Sequence, residues 1–270
     1  MTGQSTGTLR FTLLGSGSSA GVPRIGGDWG ECDPNEPRNA RTRSGLLVQR
    51  WAGAPGDPLT ATTVLVDTSP DLRSQLLAAK VRHVDGVLYS HDHADQVHGI
   101  DDMRPYMLRQ GPIEAWSDER TYRILLERFR YCFEAEDGFY NPIYRHHCID
   151  GPFVAAGLPV RPWIQDHGIA TSLGFRFGPV AYANDVVALP DEAFEIMQGI
   201  EVLIVDAMRF RPHATHVHLD RALEWIERLQ PKRAFLTNLH VDMDYAEVDR
   251  LTPDHVRPCH DGLAIKIDGE

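Results

Sequence analysis

The stretch SHDHADQVHG, residues 90–99, places three histidines and two aspartates within ten positions, directly after the apolar run GVLY at residues 86–89. The apolar run is typical of a short buried strand. Side chains at i and i+2 of an extended segment point the same way, so His91 and His93 can both reach one ion from the end of that strand. Imidazole and carboxylate ligands suit zinc, manganese or iron. A lone His-x-His is also common in polar surface loops, so further ligands have to be found elsewhere.

The composition predicts a soluble globular protein with a substantial core. Of 270 residues, 42% are apolar, and without a repeat or linker they are expected to form one domain over residues 8–268. The segment MTGQSTGTLR lacks the apolar region of a signal peptide, and no run approaches the ~18 apolar residues that cross a bilayer. The four cysteines form no C-x-x-C pair, which favours a reducing cytoplasm. The net charge of −11 disfavours binding to the backbone of long nucleic acids.

The hydrophobic pattern predicts strands that first form hairpins and then alternate with helices. Strands are expected at residues 10–15, 45–49, 62–67, 86–89, 113–116, 202–206 and 234–237, with several more between 153 and 188. Helices are expected near residues 70–77, 100–108, 119–133, 191–198 and 219–229. In the first helix, Leu72, Leu76 and Leu77 are expected on one buried face, whereas residues 134–152 are expected to be irregular. This order favours mixed sheets covered by helices.

Candidate ligands follow the ends of several apolar runs. They are Asp67, His91, Asp166, His167, Asp185, Asp206, Asn238 and His240. In sheets that are covered by helices, residues just beyond the strand ends converge on a common crevice. Each residue taken singly could cap a loop, but together they predict a metal site.

These residues resemble the metallo-β-lactamase-fold hydrolases, whose signature is His-x-His-x-Asp-His followed by a distant His, an Asp and a final His. The chain is similar to the phosphodiesterase branch that includes the cyclic-phosphate phosphodiesterase of the carbon–phosphorus lyase pathway and, more remotely, tRNase Z. The resemblance is carried by LGSGSSAGVPRIG, RTRSGLLV, VDTSPDLRSQLL, SHDHADQVHGIDDMRP, LIVDAMRFRPHATHVHLDRALEWI and FLTNLHVDMDY. It implies an α/β fold, namely a four-layer αβ/βα sandwich of two mixed β-sheets flanked by helices, with metal bound at one edge.

The resemblance also implies roles by position. The metal ligands that it implies are His91, His93, Asp95, His167 and Asp185. The three histidines would bind a first ion, Asp185 would bridge to a second ion, and Asp95 would complete the second site and take part in catalysis. His216 falls where the phosphodiesterase branch has a histidine that acts on the substrate or leaving group, and His218 is the neighbouring candidate. Either histidine could instead cap the helix that starts near Leu219.

Two positions depart from the family signature, and both affect the second ion. Gln96 and Asn238 stand where the signature has histidines. The second ion could be absent, the two amides could supply oxygens to a harder site suited to manganese or magnesium, or His240 could take over. The oxygen-rich second site is the expectation carried forward. Close relatives also carry a structural zinc site built from cysteines, which is expected to be lost because only Cys32 remains of it.

The sequence thus predicts a metal-dependent hydrolase, and within that class a phosphodiesterase acting on a small, cyclic nucleotide or sugar phosphodiester. One or two divalent ions, zinc or manganese, would activate water at neutral pH. Arg104 or Arg209 would stabilise charge on phosphorus, and His216 would assist the leaving oxygen. The alternatives are a lactone or thioester hydrolase of the same fold and a nucleotide-binding protein with weakened catalysis. The expected partner is a small phosphorylated molecule such as a nucleotide, without long nucleic acid or membrane; a homodimer is left open.

Overall fold

Two β-sheets packed face to face, with helices on both outer sides, make up the molecule. The computed structural model describes residues 7–52, 56–135 and 141–267. Each sheet has seven strands in this part of the chain. The predicted α/β class and four-layer sandwich of mixed sheets are confirmed. The domain bounds 8–268 stay a prediction, and residue 268 lies outside the described residues.

The strands and helices are as follows in chain order. The strands are β1 (Leu9–Gly15), β2 (Gly45–Arg50), β3 (Thr62–Val66), β4 (Gly86–Leu88), β5 (Ile113–Ser117), β6 (Tyr144–Cys148), β7 (Phe153–Ala155), β8 (Leu158–His167), β9 (Ala170–Phe177), β10 (Val180–Ala183), β11 (Val202–Asp206), β12 (Arg233–Thr237), β13 (Val256–Pro258) and β14 (Ala264–Ile267). The helices are α1 (Leu72–Ala78), α2 (Ala94–Val97), α3 (Arg104–Gln110), α4 (Glu119–Phe133), α5 (Asp191–Met197), α6 (Leu219–Leu229) and α7 (Tyr245–Leu251). Short 3-10 turns occupy Pro37–Asn39, Pro58–Thr60 and Ile100–Met103.

The two sheets have corresponding strand orders. The first runs β14-β1-β2-β3-β4-β5-β6, and the second runs β13-β12-β11-β10-β9-β8-β7. Pairing is antiparallel from β14 to β3 and parallel from β3 to β6. In the second sheet it is antiparallel from β7 to β10 and parallel from β10 to β13. Parallel neighbours bring their carboxyl ends to one edge of each sheet, and the candidate ligands follow those ends.

Apolar side chains fill the space between the sheets and beneath the helices. Phe11, Leu46 and Val64 of the first sheet share a core with Phe175 and Ile204 of the second. A second core lies under α5 to α7, and a third under α1 to α4. Among the described residues, no helix combines the length and apolar character that crossing a membrane requires.

The strand and helix predictions agree with most of the observed elements. The strand at residues 202–206 and the helices at 119–133 and 219–229 have the predicted bounds. β2 and β3 pair as the predicted hairpin, although residues 53–55 of the turn expected at 53–58 lie outside the described residues. The helix expected at 100–108 begins as a 3-10 turn and becomes α3 only at Arg104, with Pro105 in its first turn.

Three predictions of local structure were wrong or incomplete. The segment 134–152, expected to be irregular, contains β6, whose sequence Tyr-Arg-His-His-Cys lacks an apolar pattern. Its His146 instead stacks on Tyr122 of α4, with ring centroids 3.6 Å apart. Leu77 is 63% exposed, so its assignment to a buried face was wrong. The elements α7, β13 and β14 were not predicted, because each is short.

Substitution of Gly174 tests how tightly the second sheet is packed. Gly174 lies directly opposite Trp163 in the β8–β9 pair, and an added Cβ would overlap the indole ring. We expect Gly174→Ala to destabilise the protein by about 1–3 kcal/mol through overpacking, which thermal unfolding followed by circular dichroism would register as a melting temperature lower by several degrees. Gly45→Ala is the matched control, because its Cβ would lie 3.7 Å from Gln75 Oε1 and 3.8 Å from Leu14 Cβ, which are ordinary contacts. Equal melting temperatures for the two variants would contradict the packing described.

Candidate metal centre

Three histidines converge at the edge where the strands of both sheets end. The ligand atoms of His91, His93 and His167 lie within 4.8 Å of one another. His91 and His93 stand between β4 and α2, and His167 is the last residue of β8. Their ring centroids are 4.5 to 5.0 Å apart. The structure therefore brings together the three residues that the sequence predicted to share one ion.

Neighbouring groups determine which nitrogen of His91 is free. Ser90 Oγ lies 2.7 Å from Asp67 Oδ2 and 3.0 Å from His91 Nδ1, and Ser90 N–H donates to Asp67 Oδ1 at 2.8 Å. Ser90 Oγ donates its proton to Asp67 Oδ2, so it can only accept the Nδ1–H of His91. The free lone pair is then on His91 Nε2. This atom is buried and has no hydrogen-bond partner among the described residues.

His167 is oriented in a comparable way by a backbone carbonyl. Its Nδ1 lies 2.7 Å from the carbonyl oxygen of Thr215, which can only accept, so Nδ1 carries the proton and Nε2 carries the lone pair. His167 Nε2 is 3.2 Å from His93 Nδ1. Two nitrogens that bind one tetrahedral zinc ion at ~2.0–2.1 Å are ~3.3 Å apart. The spacing of these two atoms fits two ligands of a single ion.

His91 and His167 are neutral at neutral pH, the form that metal ions require. Burial lowers the pKa of His91 well below its usual value, and the charge of neighbouring His93 lowers it further. Burial also lowers the pKa of His167 to about 4, helped by His216. A buried nitrogen without a partner costs about 1–3 kcal/mol, and a bound cation would supply the missing partner of His91 Nε2. The donor set therefore fits a divalent ion.

The carboxylate of Asp185 completes this side of the centre and is surrounded by amide groups. It is 2% exposed and groups with His167 and His216 within 4.8 Å. Its Oδ2 accepts N–H bonds from Asn184 at 2.6 Å and from Gln96 at 3.0 Å, and its Oδ1 accepts one from Asn238 at 3.3 Å. Burial, followed by the charge of nearby Asp95, raises the pKa of Asp185 well above its usual value.

The orientation of these amides differs from the oxygen-rich second site expected from the sequence. Gln96 and Asn238 present N–H groups to Asp185, and Gln96 Nε2 also donates to Asp95 Oδ2 at 3.2 Å. Gln96 Oε1 is buried without a partner. The physical reason is that the buried Asp185 carboxylate needs donors, and an amide that donates to it turns its oxygen away.

His216 pairs with a second buried carboxylate beside the centre. Its Nδ1 lies 2.7 Å from Asp206 Oδ2 and 3.9 Å from Asp185 Oδ1, and its ring packs edge-on against His167 with centroids 4.8 Å apart. Burial lowers the pKa of His216, but the charge of Asp206 and the hydrogen bond to it outweigh burial and raise that pKa to about 9. His216 is therefore a cation at neutral pH, in contrast to His91 and His167.

The backbone is strained at three residues of the centre. Asp67, Asp185 and Asn238 have φ values of 66°, 52° and 62°, and each lies within two residues of a strand end. This left-handed conformation is uncommon outside glycine, although Asp and Asn tolerate it best. Such strain costs on the order of 1–3 kcal/mol per residue and concentrates at functional sites. Here it turns the side chains from the strand ends into the centre.

The remaining predicted residues lie outside the two histidine groups. Both ring nitrogens of His240 are engaged, Nδ1 with Asp242 Oδ1 at 2.8 Å and Nε2 with Arg209 Nη2 at 3.0 Å. His218 is the residue before α6 and occupies its N-cap position, as the alternative allowed, but its side chain makes no capping bond. Arg104 pairs with Asp101 at 2.8 Å, so its charge is engaged there.

Some residues that contribute to the centre could hardly be identified from the sequence. Ser90 precedes His91 in the sequence, and Asn184 precedes Asp185. Adjacency is the only sequence feature that suggests that Ser90 and Asn184 orient these residues. Thr215 contributes its backbone carbonyl, which no side-chain pattern can reveal. Cys32 packs with Val22 and Val241, and the expected loss of a structural zinc site stays a prediction.

Comparison with known proteins agrees with this geometry. Residues 62–238 match a family model described as a beta-lactamase superfamily domain. A crystal structure of a diphosphatase from the PhnP family is 31% identical, with a TM-score of 0.86, over 97% of this chain and 98% of that one. Human tRNase Z, short form, has a TM-score of 0.63 at 14% identity over 95% of this chain and 98% of its own, which shows a shared fold alone.

A curated relative carries a different name. An octanoyltransferase from Porphyromonas gingivalis (strain ATCC BAA-308 / W83) is 29% identical over 265 residues, which is 96% of this chain and 52% of the relative. The chain thus spans about half the length of the curated relative that it matches. The resemblance that the sequence indicated, to metallo-β-lactamase-fold hydrolases with a PhnP-like branch and tRNase Z, is confirmed by the family match and the solved structures.

Metal binding can be tested at His91. We expect His91→Ala to weaken Zn²⁺ binding at least about 100-fold, because the variant lacks the buried Nε2 lone pair that neighbouring groups hold in place. Calorimetric titration with Zn²⁺ and elemental analysis of dialysed protein would measure the loss. His98→Ala is the matched control, since His98 is an exposed histidine of the same stretch whose ring packs against Phe129. Unchanged zinc content in both variants would rule out this centre.

Proposed function

The chain belongs to the β-lactamase superfamily, and we propose that within it the chain is a metal-dependent phosphodiesterase that acts on small substrates. The observation that carries the proposal is the group of three imidazoles, in which His91 Nε2 is buried without a partner beside His93 and His167. These three residues and Asp185 are the proposed ligands. Three neutral nitrogens and one carboxylate suit zinc or manganese.

The roles of the residues follow from their contacts. A divalent ion at this place supplies a Lewis acid that polarises a phosphoryl oxygen and makes water a better nucleophile at neutral pH. Because Asp206 engages Nδ1 of His216, the proton that His216 can donate to a leaving oxygen is on Nε2. Asp206 stabilises the cationic ring and fixes its direction, as the third member of a triad does. Asp95 is proposed to help orient Gln96 rather than to react itself.

The substrate class is supported by similarity and by charge. The diphosphatase of the PhnP family, at 31% identity over nearly the whole chain, is named for action on a phosphate compound. The net charge of −11 opposes long polyanions more than small ones, because the field of distant charges is screened beyond ~8 Å at physiological salt. A nucleotide or sugar phosphodiester is the proposed partner. The octanoyltransferase name describes a chain about twice the matched length. Acyl transfer is therefore included among the activities to be assayed.

We also propose that the centre holds one ion. Both oxygens of Asp185 already accept amide N–H groups, from Asn184, Gln96 and Asn238. A second ion beside them would need those donors to turn away and leave a buried carboxylate with fewer hydrogen bonds. His240 is held by Asp242 and Arg209 and is not proposed as a ligand.

Hydrolysis assays test the function. We expect protein loaded with Zn²⁺ or Mn²⁺ to hydrolyse bis(p-nitrophenyl) phosphate and to lose this activity on chelation. His216→Ala should lower kcat about 100-fold or more, because it removes the proposed proton donor, while zinc content measured by elemental analysis stays constant.

The second histidine of the same loop provides the control. His218→Ala should lower kcat far less than His216→Ala, because only His216 is held by Asp206. Turnover of a lactone or an octanoyl thioester in the absence of phosphodiester hydrolysis would overturn the proposal in favour of carbonyl chemistry. Tight nucleotide binding without turnover under any divalent ion would instead favour a binding protein.

The number of ions can be tested by restoring imidazoles. We expect wild-type protein to bind one equivalent of Zn²⁺ and the double variant Gln96→His with Asn238→His to bind two, because the new rings would present lone pairs where amide N–H groups now face Asp185. Elemental analysis after dialysis gives the stoichiometry. As a control, Asn184→Ser removes a donor from Asp185 without adding a ligand and should leave one equivalent. Two equivalents in the wild type would contradict the single-ion proposal.

A further inference from the structure

The guanidinium of Arg209 has a buried N–H group without a hydrogen-bond partner. Its Nη2 lies 3.0 Å from His240 Nε2, and its Nε is buried without a hydrogen-bond partner. Across residues 7–52, 56–135 and 141–267, no carboxylate lies within ion-pair distance of it. Buried donors normally have partners, and each one left without a partner costs about 1–3 kcal/mol. A bound anion would satisfy this donor.

His240 and Asp242 hold the guanidinium in one place. A guanidinium has only donors, so His240 Nε2 must accept its N–H, and His240 Nδ1 must carry the proton given to Asp242 Oδ1 at 2.8 Å. The backbone is also fixed, since His240 N donates to Met208 O at 3.1 Å and Leu219 N donates to Arg209 O at 2.9 Å. A side chain that is already ordered loses little conformational entropy when it binds a ligand.

Arg209 is connected to the surroundings of the ligand histidines through its neighbours His240 and His213. Along the chain, His240 lies two residues beyond Asn238, whose amide faces the centre. Across the loop that follows β11, the ring of His213 lies 5.6 Å from that of His216. The charge of Arg209 acts on His213, whose pKa is lowered first by burial, then by His216 and then by Arg209. An anion held by Arg209 would therefore be a neighbour of the reacting group.

We propose that Arg209 binds a second anionic group of the substrate, adjacent to the phosphodiester that is hydrolysed. The inference rests on the proposed phosphodiesterase function and narrows its substrates to phosphodiesters with a further phosphate beside the reacting one. Arginine suits this role because its fork of N–H donors matches two phosphate oxygens. Given the net charge of −11, a local cation is needed to offset repulsion of a doubly charged ligand.

Anion binding by two probes tests this inference. Zinc-loaded protein would be titrated calorimetrically with inorganic phosphate and with inorganic pyrophosphate. We expect Arg209→Gln to weaken pyrophosphate binding at least tenfold, the loss of a charge-assisted contact, and to weaken phosphate binding less than threefold. Arg209→Lys, which keeps the charge and loses the fork, should fall between wild type and Arg209→Gln. The probes also bind zinc in solution. This effect is the same for every variant, so it does not alter the comparison of their affinities.

Arg211→Gln is the matched control, because Arg211 is an exposed arginine of the same loop and its loss changes the net charge equally. It should leave pyrophosphate binding within twofold of wild type. If Arg209→Gln and Arg211→Gln weakened pyrophosphate binding equally, the inference would be overturned, because the effect would then come from the net charge of the protein. Equal weakening of phosphate and pyrophosphate by Arg209→Gln would also overturn it, because Arg209 would then contact the reacting group.

Failure of the inference and failure of the proposed function give different results. If wild-type protein hydrolyses bis(p-nitrophenyl) phosphate but Arg209→Gln binds pyrophosphate as wild type does, the inference alone is wrong. If wild-type protein shows no phosphodiester hydrolysis with any divalent ion, the proposed function is wrong. Melting temperatures of the variants report folding, and Arg209→Lys keeps the test available if Arg209→Gln proves unstable.

Discussion

The buried carboxylate of Asp185 is the constraint on which the centre depends. An ionised group removed from water costs several kcal/mol unless other charges and hydrogen bonds compensate it. Asp185 is 2% exposed, and the negative charges of Asp95 and Asp206 raise its pKa further. Amide N–H groups supply part of the compensation, and the cationic ring of His216, 3.9 Å from Asp185 Oδ1, supplies more. The proposed divalent ion supplies the rest, so ion and carboxylate stabilise each other.

The two-sheet architecture makes such a cluster possible. The proposed ligands of the first sheet follow β4, and those of the second lie at the end of β8 and after β10, so that the centre forms only where both sheets end. Left-handed backbone at Asp67, Asp185 and Asn238 turns these side chains inward. The tight core between the sheets keeps the strand ends in register and offsets this local strain. Rigid strand ends also hold His167 Nε2 and His93 Nδ1 at a fixed separation of 3.2 Å.

The sequence predicted those parts of the fold and centre that depend on local pattern. Apolar runs located most strands, and the residues after them located His91, His93 and His167 correctly at one edge. The sequence could not predict β6, because its polar residues are covered by stacking on α4 rather than by apolar burial. It also could not predict the direction in which the Gln96 amide points. That direction depends on donors and acceptors from positions 89 residues apart in the chain, which only the folded structure brings together.

The proposed single ion would change where the free energy for catalysis has to come from. A second cation would stabilise the attacking and leaving oxygens together, whereas here His216 provides the only proposed positive charge on the leaving side. Binding energy from parts of the substrate that do not react can be used to position the reacting group. A rigid cation outside the ligand shell, such as Arg209 held by His240, serves that purpose. If the proposals hold, the replacement of two imidazoles by amides at Gln96 and Asn238 and the guanidinium of Arg209 beside the centre are related features. Both would shift the work of catalysis from a second metal ion to the side chains of the protein.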